Sequence, residues 1–460
     1  MASPVYTPIN SGGRSRGGMR TVPVEESPMM QQPDEEGSDD EEVQGGIGHA
    51  DDVGPSVCFL ISINSFGFAY SLVVATLGVV ILPSEAVRLF ADNHAMMLGV
   101  MLGCTGVTQL IGPAVGYQSD RSTSRYGRRR PLMVVGAVIA CIGSLAMLVA
   151  HEYRLKALYI GSLTASIAGL NISYACYTAL LPDLVPSAHL GRASGMMATM
   201  SMLGALLGFS LFGFLLQTVH AYTIYCLVIL GTVGLTCLIA REKPRDEAPP
   251  FRLGELVAAY SIDVVANADF FWVFVTRVFY YMGISLQAFV LFMMRDVQQV
   301  DNPQRFTSLL AMIGQLSAAL VATPAGHVSD RYGRKPLVYA SCLIMAAVYL
   351  SFALSPRIDV VLALGVGYGI GNGMFLSVDY ALACDTLPSL ESAAQGLGVW
   401  GVSAFLGSTL GPLIAAPLLA YFGWTSSPER YSSTGYTAVN LAGAVYVTCA
   451  GGFLCFVKRR

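Results

Sequence analysis

Residues 112–131 read GPAVGYQSDRSTSRYGRRRP, and the organisation of the whole chain follows from this stretch. An apolar run carrying Gly112, Pro113 and Gly116 ends at Asp120-Arg121. A basic loop follows with Arg125, Gly127, Arg128, Arg129 and Arg130, and a second apolar run starts at Leu132. A shortened copy recurs in the second half of the chain: Gly326, then Asp330-Arg331, then Gly333-Arg334-Lys335-Pro336. A loop this basic between two long apolar runs suits the aqueous edge of a bilayer, and its duplication implies an internal repeat.

The composition agrees. Of the 460 residues 54% are hydrophobic and 12% charged, against about 25% charged in soluble domains. Apolar stretches of roughly 20 residues cross a hydrocarbon core of about 30 Å at 1.5 Å per residue. Twelve are present, near 57–82, 95–117, 132–150, 155–181, 191–218, 221–240, 269–293, 304–327, 336–354, 358–383, 393–421 and 435–457. Continuous runs of this length exclude barrel strands, so the expected fold is all-α, integral to the membrane, with twelve helices in two six-helix pseudo-repeats. The expected division is a disordered acidic tail (1–54), a first half (55–240), a polar cytosolic linker (241–268) and a second half (269–460). The tail holds 11 of the 30 acidic residues and 3 of the 27 basic ones, with too few apolar groups to offset the entropy of ordering. With an even number of spans and the N-terminus inside, 19 Lys and Arg fall on the inner side, 7 on the outer, and Arg277 within a span. The excess predicts that both termini are cytosolic. Either the plasma membrane or an organelle membrane fits this arrangement.

The ten cysteines lie in apolar runs without a CxxC and read as small hydrophobic filler. The sequon at Asn171 is inside a span. A second sign of duplication pairs Ala179-Leu180-Leu181-Pro182-Asp183-Leu184-Val185-Pro186 with Ala381-Leu382-Ala383-Cys384-Asp385-Thr386-Leu387-Pro388, each closing the fourth span of its half. Duplicated halves of this kind suit a transporter that rocks around a site at the midplane.

The two basic loops resemble the cytoplasmic signature loop of the major facilitator superfamily. The Ser-Arg-Tyr inserted before Gly127, and Phe66-Gly67-Phe68-Ala69-Tyr70 in span 1, look most like the sucrose-transporter and glycoside–cation symporter branch. The resemblance covers residues 55–457 and implies a carrier of a small polar solute, a sugar or glycoside first, working by alternating access. It implies a proton or sodium ion as the coupling candidate, no cofactor or metal, a lipid bilayer as surroundings and a monomer. That branch carries an aspartate in the middle of span 4 where this chain has Ile167, which leaves Asp379 as the acid for coupling.

The gating residues expected from these motifs are Asp120, Arg121, Arg125, Gly127, Arg128, Asp183, Arg192, Asp330, Arg331, Gly333 and Arg334. A carboxylate at the end of a span can accept from a helix N-terminus and from loop guanidinium groups, and glycine permits the tight turn. Asp183 and Arg192 are spaced to pair across the loop between spans 4 and 5. Arg277 in span 7 and Asp379 in span 10 lie at comparable depth from the inner side. A lone arginine there costs about 2.5–3.5 kcal/mol on insertion scales, so they are expected to meet as an ion pair that serves substrate, coupling or only the joining of helices. The expected ligand pool is Asn64, Tyr70, Gln109, Asn171, Tyr174, Arg277, Tyr280, Gln287, Gln315, Asn372 and Trp400. Amides bond hydroxyls, and aromatic rings cover the apolar face of a sugar. The alternating glycines of span 10, and the pairs Gly112/Gly116 and Gly204/Gly208, read as close helix packing.

No GxxxxGK[ST] supports an ATP-driven pump, nothing points to nucleic acid, and the six histidines are scattered, so an enzyme is not expected. A transporter-fold sensor or scaffold is the competing reading, and uptake into liposomes separates it from a carrier.

Overall fold

The computed structural model describes residues 55–186, 189–242, 254, 267–354, 357–386, 393–425 and 430–458. The acidic tail and most of the linker expected from the sequence lie outside them, as does the side chain of Arg192. The described elements are all helical. A lead-in helix, Val57–Ile63, precedes twelve long ones. The first half consists of α1 Ser65–Leu89, α2 Ala91–Asp120, α3 Arg130–Glu152, α4 Lys156–Leu184, α5 Ala193–Leu215 and α6 Val219–Ile239. The second consists of α7 Ala268–Asp296, α8 Pro303–Tyr332, α9 Arg334–Ala353, α10 Ile358–Thr386, α11 Val399–Phe422 and α12 Ser433–Leu454.

Eleven of these are long and apolar enough to cross a membrane. The other, α4, is 29 residues long, but its composition is diluted by Ser162, Ser166, Asn171 and Ser173, all buried. Their partners are inside the bundle: Ser166 Oγ donates to Ala140 O at 3.0 Å and Ser173 Oγ to Met133 O at 2.8 Å. Gly136, Gly143 and Gly169 let α3 and α4 approach until a Cβ would lie within 2.6 Å of the facing backbone. Ser166 and Ser173 thus serve helix contact.

The two halves repeat one packing scheme. In the first, α1 packs on α5 and α6, α2 on α4, and α3 on α4 and α6; in the second, α7 packs on α11 and α12, α8 on α10, and α9 on α10 and α12. Between halves, α2 packs on α11 and α5 on α8. The span 10 glycines alternate between two neighbours. Gly365, Gly369 and Gly373 receive α8, while Gly367 and Gly371 receive α9, so close approach to two neighbours accounts for them without a bend.

The end of the bundle carrying residues 55 and 458 is called the terminal end below, and the opposite one the far end. Contacts between the halves gather at the far end. Gln304 Nε2 donates to Phe212 O at 2.6 Å, Arg295 reaches His94 at 3.1 Å, and Tyr431 OH accepts from Ala95 N at 3.4 Å. Glycines on α2 trace the same gradient. A Cβ at Gly99 or Gly106 would strike Ala416 or Thr409 of α11, whereas at Gly112 or Gly116, nearer the terminal end, it would meet nothing within 4 Å. Gly326 on α8 is equally open. The halves are closed on each other at the far end and splayed at the terminal end. In this conformation Gly112 and Gly116 do not pack a helix as the sequence suggested, while Gly204 and Gly208 do, against Phe68 and Thr76 of α1.

Candidate functional site

Two adjoining cavities lie between the halves. One, of about 170 Å³, is lined by residues of α7, α8 and α10 with Ala75, Val79 and Phe209 of the first half. The other, of about 260 Å³, is lined by α1, α2 and α4 on one side and α7 and α11 on the other. Ile284 and Gln287 line both. Both cavities sit where helices depart from regular geometry. The backbone widens to a π turn over Leu77–Ile81 in α1 and tightens over Leu286–Phe289 in α7, distortions that recur at functional positions because they redirect side chains and free backbone groups.

Of the expected ligand pool, Tyr70, Gln109, Asn171, Gln287, Gln315 and Asn372 line these cavities. Tyr70 OH donates to Asn171 Oδ1 at 3.2 Å, and Asn171 Nδ2 donates to Thr108 Oγ1 at 2.9 Å. Asn171 therefore sets the tilt of Tyr70, which stacks on Tyr174 with ring centroids 3.9 Å apart. On the other side Tyr368 OH contacts Gln287 Oε1 at 3.5 Å. The Oδ1 of Asn372 is buried without a hydrogen-bond partner among the described residues. Every side chain lining the two cavities is uncharged, and aliphatic and aromatic groups predominate.

The other members of the pool are placed elsewhere. Asn64 is fully buried and bonds Leu60 O, Ala193 O and Tyr177 OH. Tyr280 is fully buried against Ser341 Oγ and Gly371 O and stacks on Phe375. Both join helices and do not line the cavity. Tyr174 supports Tyr70 from behind. Arg277 and Trp400 lie on the terminal-end side of the cavity-lining residues.

Arg277 and Asp379 meet as the sequence predicted, with Nε 2.8 Å from Oδ2 and both side chains buried at 7% and 6% exposure. The Nε–H is not directed along that line, so the contact is electrostatic more than a linear hydrogen bond. The guanidinium also donates to Trp400 O at 2.7 Å and Tyr281 OH at 3.3 Å, and lies 3.3 Å above the Trp400 ring centroid. All four residues belong to α7, α10 and α11. The pair is a feature of the second half alone, between the cavity and the open terminal end.

At the terminal end the two signature loops build one clamp twice. Arg129, only 8% exposed at its side chain, reaches Asp120 at 2.9 Å, Asp183 at 2.5 Å and Ser119 Oγ at 3.0 Å. Arg334 reaches Asp330 at 2.5 Å, Asp385 at 3.3 Å and Ser329 Oγ at 2.8 Å. Gly127 and Gly333 turn the loops with φ of 104° and 92°, a region costly for any residue with a Cβ. Glu242 fits under Gly127 and accepts from Arg129 N and Arg130 N. Arg128 pairs with Asp183 at 2.5 Å, and that hydrogen bond pushes its guanidinium up from the ordinary value.

Asp183 bonds Arg128 and Arg129, which approach from the neighbouring loop, while the side chain of its expected partner Arg192 lies outside the described residues. Asp120 and Asp330 are 53% and 66% exposed at their side chains; the more enclosed carboxylate of the first clamp is Asp183, at 21%. Arg121 and Arg125 lie over the rings of Tyr117 and Tyr126, and Arg331 is exposed. Sequence reasoning missed Arg129, Glu242 and Asp385 as clamp members. The available signals were the run of three arginines and the repeat that aligns Asp183 with Asp385. In the cavity it missed Tyr368, Ser285, Ser408 and Asn440.

Comparison with known proteins gives these features a family. The model of the Major Facilitator Superfamily matches residues 56–303 and 273–447. A multi-drug resistance efflux pump PmrA homolog of Lactococcus lactis is 23% identical over 257 residues, 54% of this chain and 62% of that protein. A triacylglyceride transporter of Mycolicibacterium hassiacum is 38% identical over 122 residues, 26% of this chain and 22% of that protein. The chain thus spans less than two thirds of these relatives' lengths, but 83% of an uncharacterized MFS-type transporter of Methanocaldococcus jannaschii, at 23% identity. Among solved structures, the nucleoside transporter NupG superposes with a TM-score of 0.63 at 16% identity, over 87% of this chain and 100% of that one. A bacterial homolog of the lysosomal transporter Spinster, in an inward-facing and occupied conformation, gives 0.63 at 15% identity, over 87% and 96%. With the duplicated clamp loops, the repeated six-helix packing and a family match running from residue 56 to residue 447, the chain belongs to the Major Facilitator Superfamily.

Proposed function

We propose that this protein is a secondary transporter that moves a small uncharged solute with both hydroxyl-bearing and apolar surface, a sugar or glycoside first, by alternating access. The observation that carries the reading is the uncharged interhalf cavity, in which the amides of Gln109, Asn171, Gln287, Gln315 and Asn372 and the rings of Tyr70 and Tyr368 interrupt an apolar wall. Amides bond hydroxyls in either sense, and a ring face covers C–H groups. The Lys and Arg asymmetry supports a cytosolic terminal end, which makes this conformation inward-open. Arg277 and Asp379 are the proposed coupling pair, with a proton as the ion. Asp120, Asp183, Asp330 and the arginines beside them form the proposed cytosolic gate, each clamp stiffening its own half. The sucrose-transporter branch is the proposed placement within the family.

The dominance of aliphatic groups in the lining favours a second reading, export of a lipophilic solute, in line with the names of the curated relatives. One experiment addresses both. Purified protein in liposomes is offered labelled sugars, glycosides, a nucleoside and a lipophilic dye, with and without pH and sodium gradients. Gradient-dependent accumulation of a sugar or glycoside is the expected result. Movement of the dye alone selects the second reading, and ligand binding without movement of any solute would leave the sensor and remove the carrier.

A further inference from the structure

The far-end closure contains a histidine whose charge state the contacts dictate. His94 opens the regular part of α2, is fully buried, and faces the second half. Its ring packs on Phe292 of α7 and on Tyr431, with centroids 4.8 and 4.7 Å apart. Its Nδ1 lies 2.9 Å from Ala91 O. A carbonyl oxygen only accepts, so Nδ1 carries the hydrogen and Nε2 keeps its lone pair. That lone pair receives Arg295 from α7 at 3.1 Å. Arg295 has no other protonation state to offer, so the bond exists only while the imidazole is neutral.

The groups around the ring leave no alternative for an imidazolium. The titratable and charged neighbours are Arg295 and Asp296 on α7 and Tyr431 on the segment before α12. Asp296 is already engaged: it accepts from Arg295 Nε at 2.6 Å, from Tyr431 N at 3.1 Å and from Tyr436 OH at 2.5 Å. These bonds hold Arg295 in place against Asp296. A second proton on His94 would put an N–H and a positive charge against a guanidinium that cannot withdraw without breaking them. The neighbouring contact between halves, Ala95 N to Tyr431 OH at 3.4 Å, is long and neutral and offers little resistance to separation.

We propose that His94 Nε2 is a proton-binding site that works as the release of the far-end gate. Neutral His94 latches α2 to α7 through Arg295; a proton arriving from the far side unlatches them and opens the cavity to that side. The site is distinct from the Arg277–Asp379 pair, which lies wholly within the second half on the other side of the cavity. It differs too from Glu85–His151, a contact of 2.8 Å between α1 and α3 that lies within the first half. The inference rests on the alternating-access reading, and its test keeps the two separable.

Ser408 lines the cavity. In the full-length protein carrying Ser408→Cys, the rate of modification by a membrane-impermeant thiol reagent applied at the far face reports opening there, with the parent protein as control for native cysteines. Each pH unit of acidification multiplies the ratio of imidazolium to imidazole by about ten, so between pH 7.5 and 5.5 the rate is expected to rise by up to about tenfold per unit. Adding His94→Gln, which retains an acceptor but does not titrate, is expected to give a low rate independent of pH. Adding His94→Arg is expected to give a high rate at both pH values. Arg295→Gln, which removes the repelling charge without touching the histidine, is expected to flatten the response. An undiminished pH response with His94→Gln overturns the proposal and leaves the carrier reading standing. Absence of far-face labelling at every pH in every variant overturns alternating access, and the latch with it.

Discussion

Neutralising Arg277 and Asp379 singly should produce unequal damage, and the inequality follows from what each leaves behind. Breaking a buried ion pair by removing one partner costs about 3–5 kcal/mol, because the survivor stays charged away from water. Asp379→Asn strands Arg277, but the guanidinium keeps Trp400 O at 2.7 Å, Tyr281 OH at 3.3 Å and the Trp400 ring face at 3.3 Å. A desolvated cation–π contact returns about 2 kcal/mol and a hydrogen bond from a charged donor about 1.5–3 kcal/mol. Arg277→Gln strands Asp379, whose one charged neighbour among the described residues was that arginine. In alkaline buffer, where the stranded Asp379 carboxylate stays ionised, the loss should therefore fall at the lower end of the range for Asp379→Asn and at the upper end for Arg277→Gln. In acid the carboxyl can take up a proton and the Arg277→Gln loss should shrink. The double variant should recover most of the stability. The assay is unfolding in detergent by denaturant titration for the four members of the cycle, with transport measured beside it. A double variant that recovers both stability and gradient-driven accumulation makes the pair structural. One that exchanges solute but no longer concentrates it assigns coupling to Asp379. Single variants as stable as the wild type, or Asp379→Asn worse than Arg277→Gln in alkaline buffer, would refute the reasoning.

Other perturbations test the cavity, the clamp and the splayed helices. Asn372→Leu removes a buried acceptor without a partner, an unmade bond that costs about 1–3 kcal/mol; stability should hold or rise while substrate affinity falls, and an unchanged affinity would take Asn372 out of the site. Arg129→Lys cannot reach Ser119, Asp120 and Asp183 together, since an ammonium lacks the planar fork. It should destabilise the first half by about 1.5–3 kcal/mol for each charge-assisted bond lost, while Arg125→Lys should be silent in the same denaturation assay. Asp183→Asn should cost more than Asp120→Asn because its carboxylate is the more enclosed. A Cβ at Gly116 would meet nothing within 4 Å in the splayed conformation, so Gly116→Leu should fold normally, yet obstruct closure of the terminal end; wild-type uptake by this variant would show that α2 does not close there.

Much of the architecture was legible because charge is scarce in this chain. Asp120 and Asp330, each with arginines and a glycine, stand out against apolar runs, and the left-handed backbone at Gly127 and Gly333 shows why the glycine is there. Arg277 and Asp379 were legible for the same reason: buried charges need partners, and only one of each sign lay at that depth. The uncharged residues were not legible. Tyr280 and Tyr281 are neighbours in sequence but point about 100° apart on a helix. One is spent on Ser341 and Gly371, while the other faces the cavity. Asn64 and Asn372 have the same chemistry, but one amide is consumed by Leu60, Ala193 and Tyr177 while the other keeps an open acceptor. Helical periodicity cannot rank these faces when α1, α4 and α10 are apolar on nearly every side. Arg129 was hidden among three consecutive arginines, and only the approach of α4 selects it over Arg121 and Arg125.

The distribution of strong and weak contacts argues that the two halves move as bodies. Inside each half lie the enclosed charge pairs, Arg129 with Asp183 and Arg277 with Asp379, and the glycine contacts that bring α3 onto α4 and α10 onto α8 to backbone distance. These are costly to break and have no second arrangement in view. Between the halves lie a histidine–arginine bond, a tyrosine that accepts one amide at 3.4 Å, a glutamine on a carbonyl, and the far-end glycines of α2 against α11. Hydrogen bonds between uncharged groups contribute about 0.5–1.5 kcal/mol each, and the one from the Arg295 guanidinium about 1.5–3 kcal/mol. A handful of them sums to a few kcal/mol, the size of gap across which both conformations remain populated and a bound solute or proton can tip the balance. Had the clamps crossed between the halves, this conformation would be too stable to leave. Set inside each half, they keep the moving bodies rigid and leave the choice of state to the far-end seam and to whatever fills the cavity.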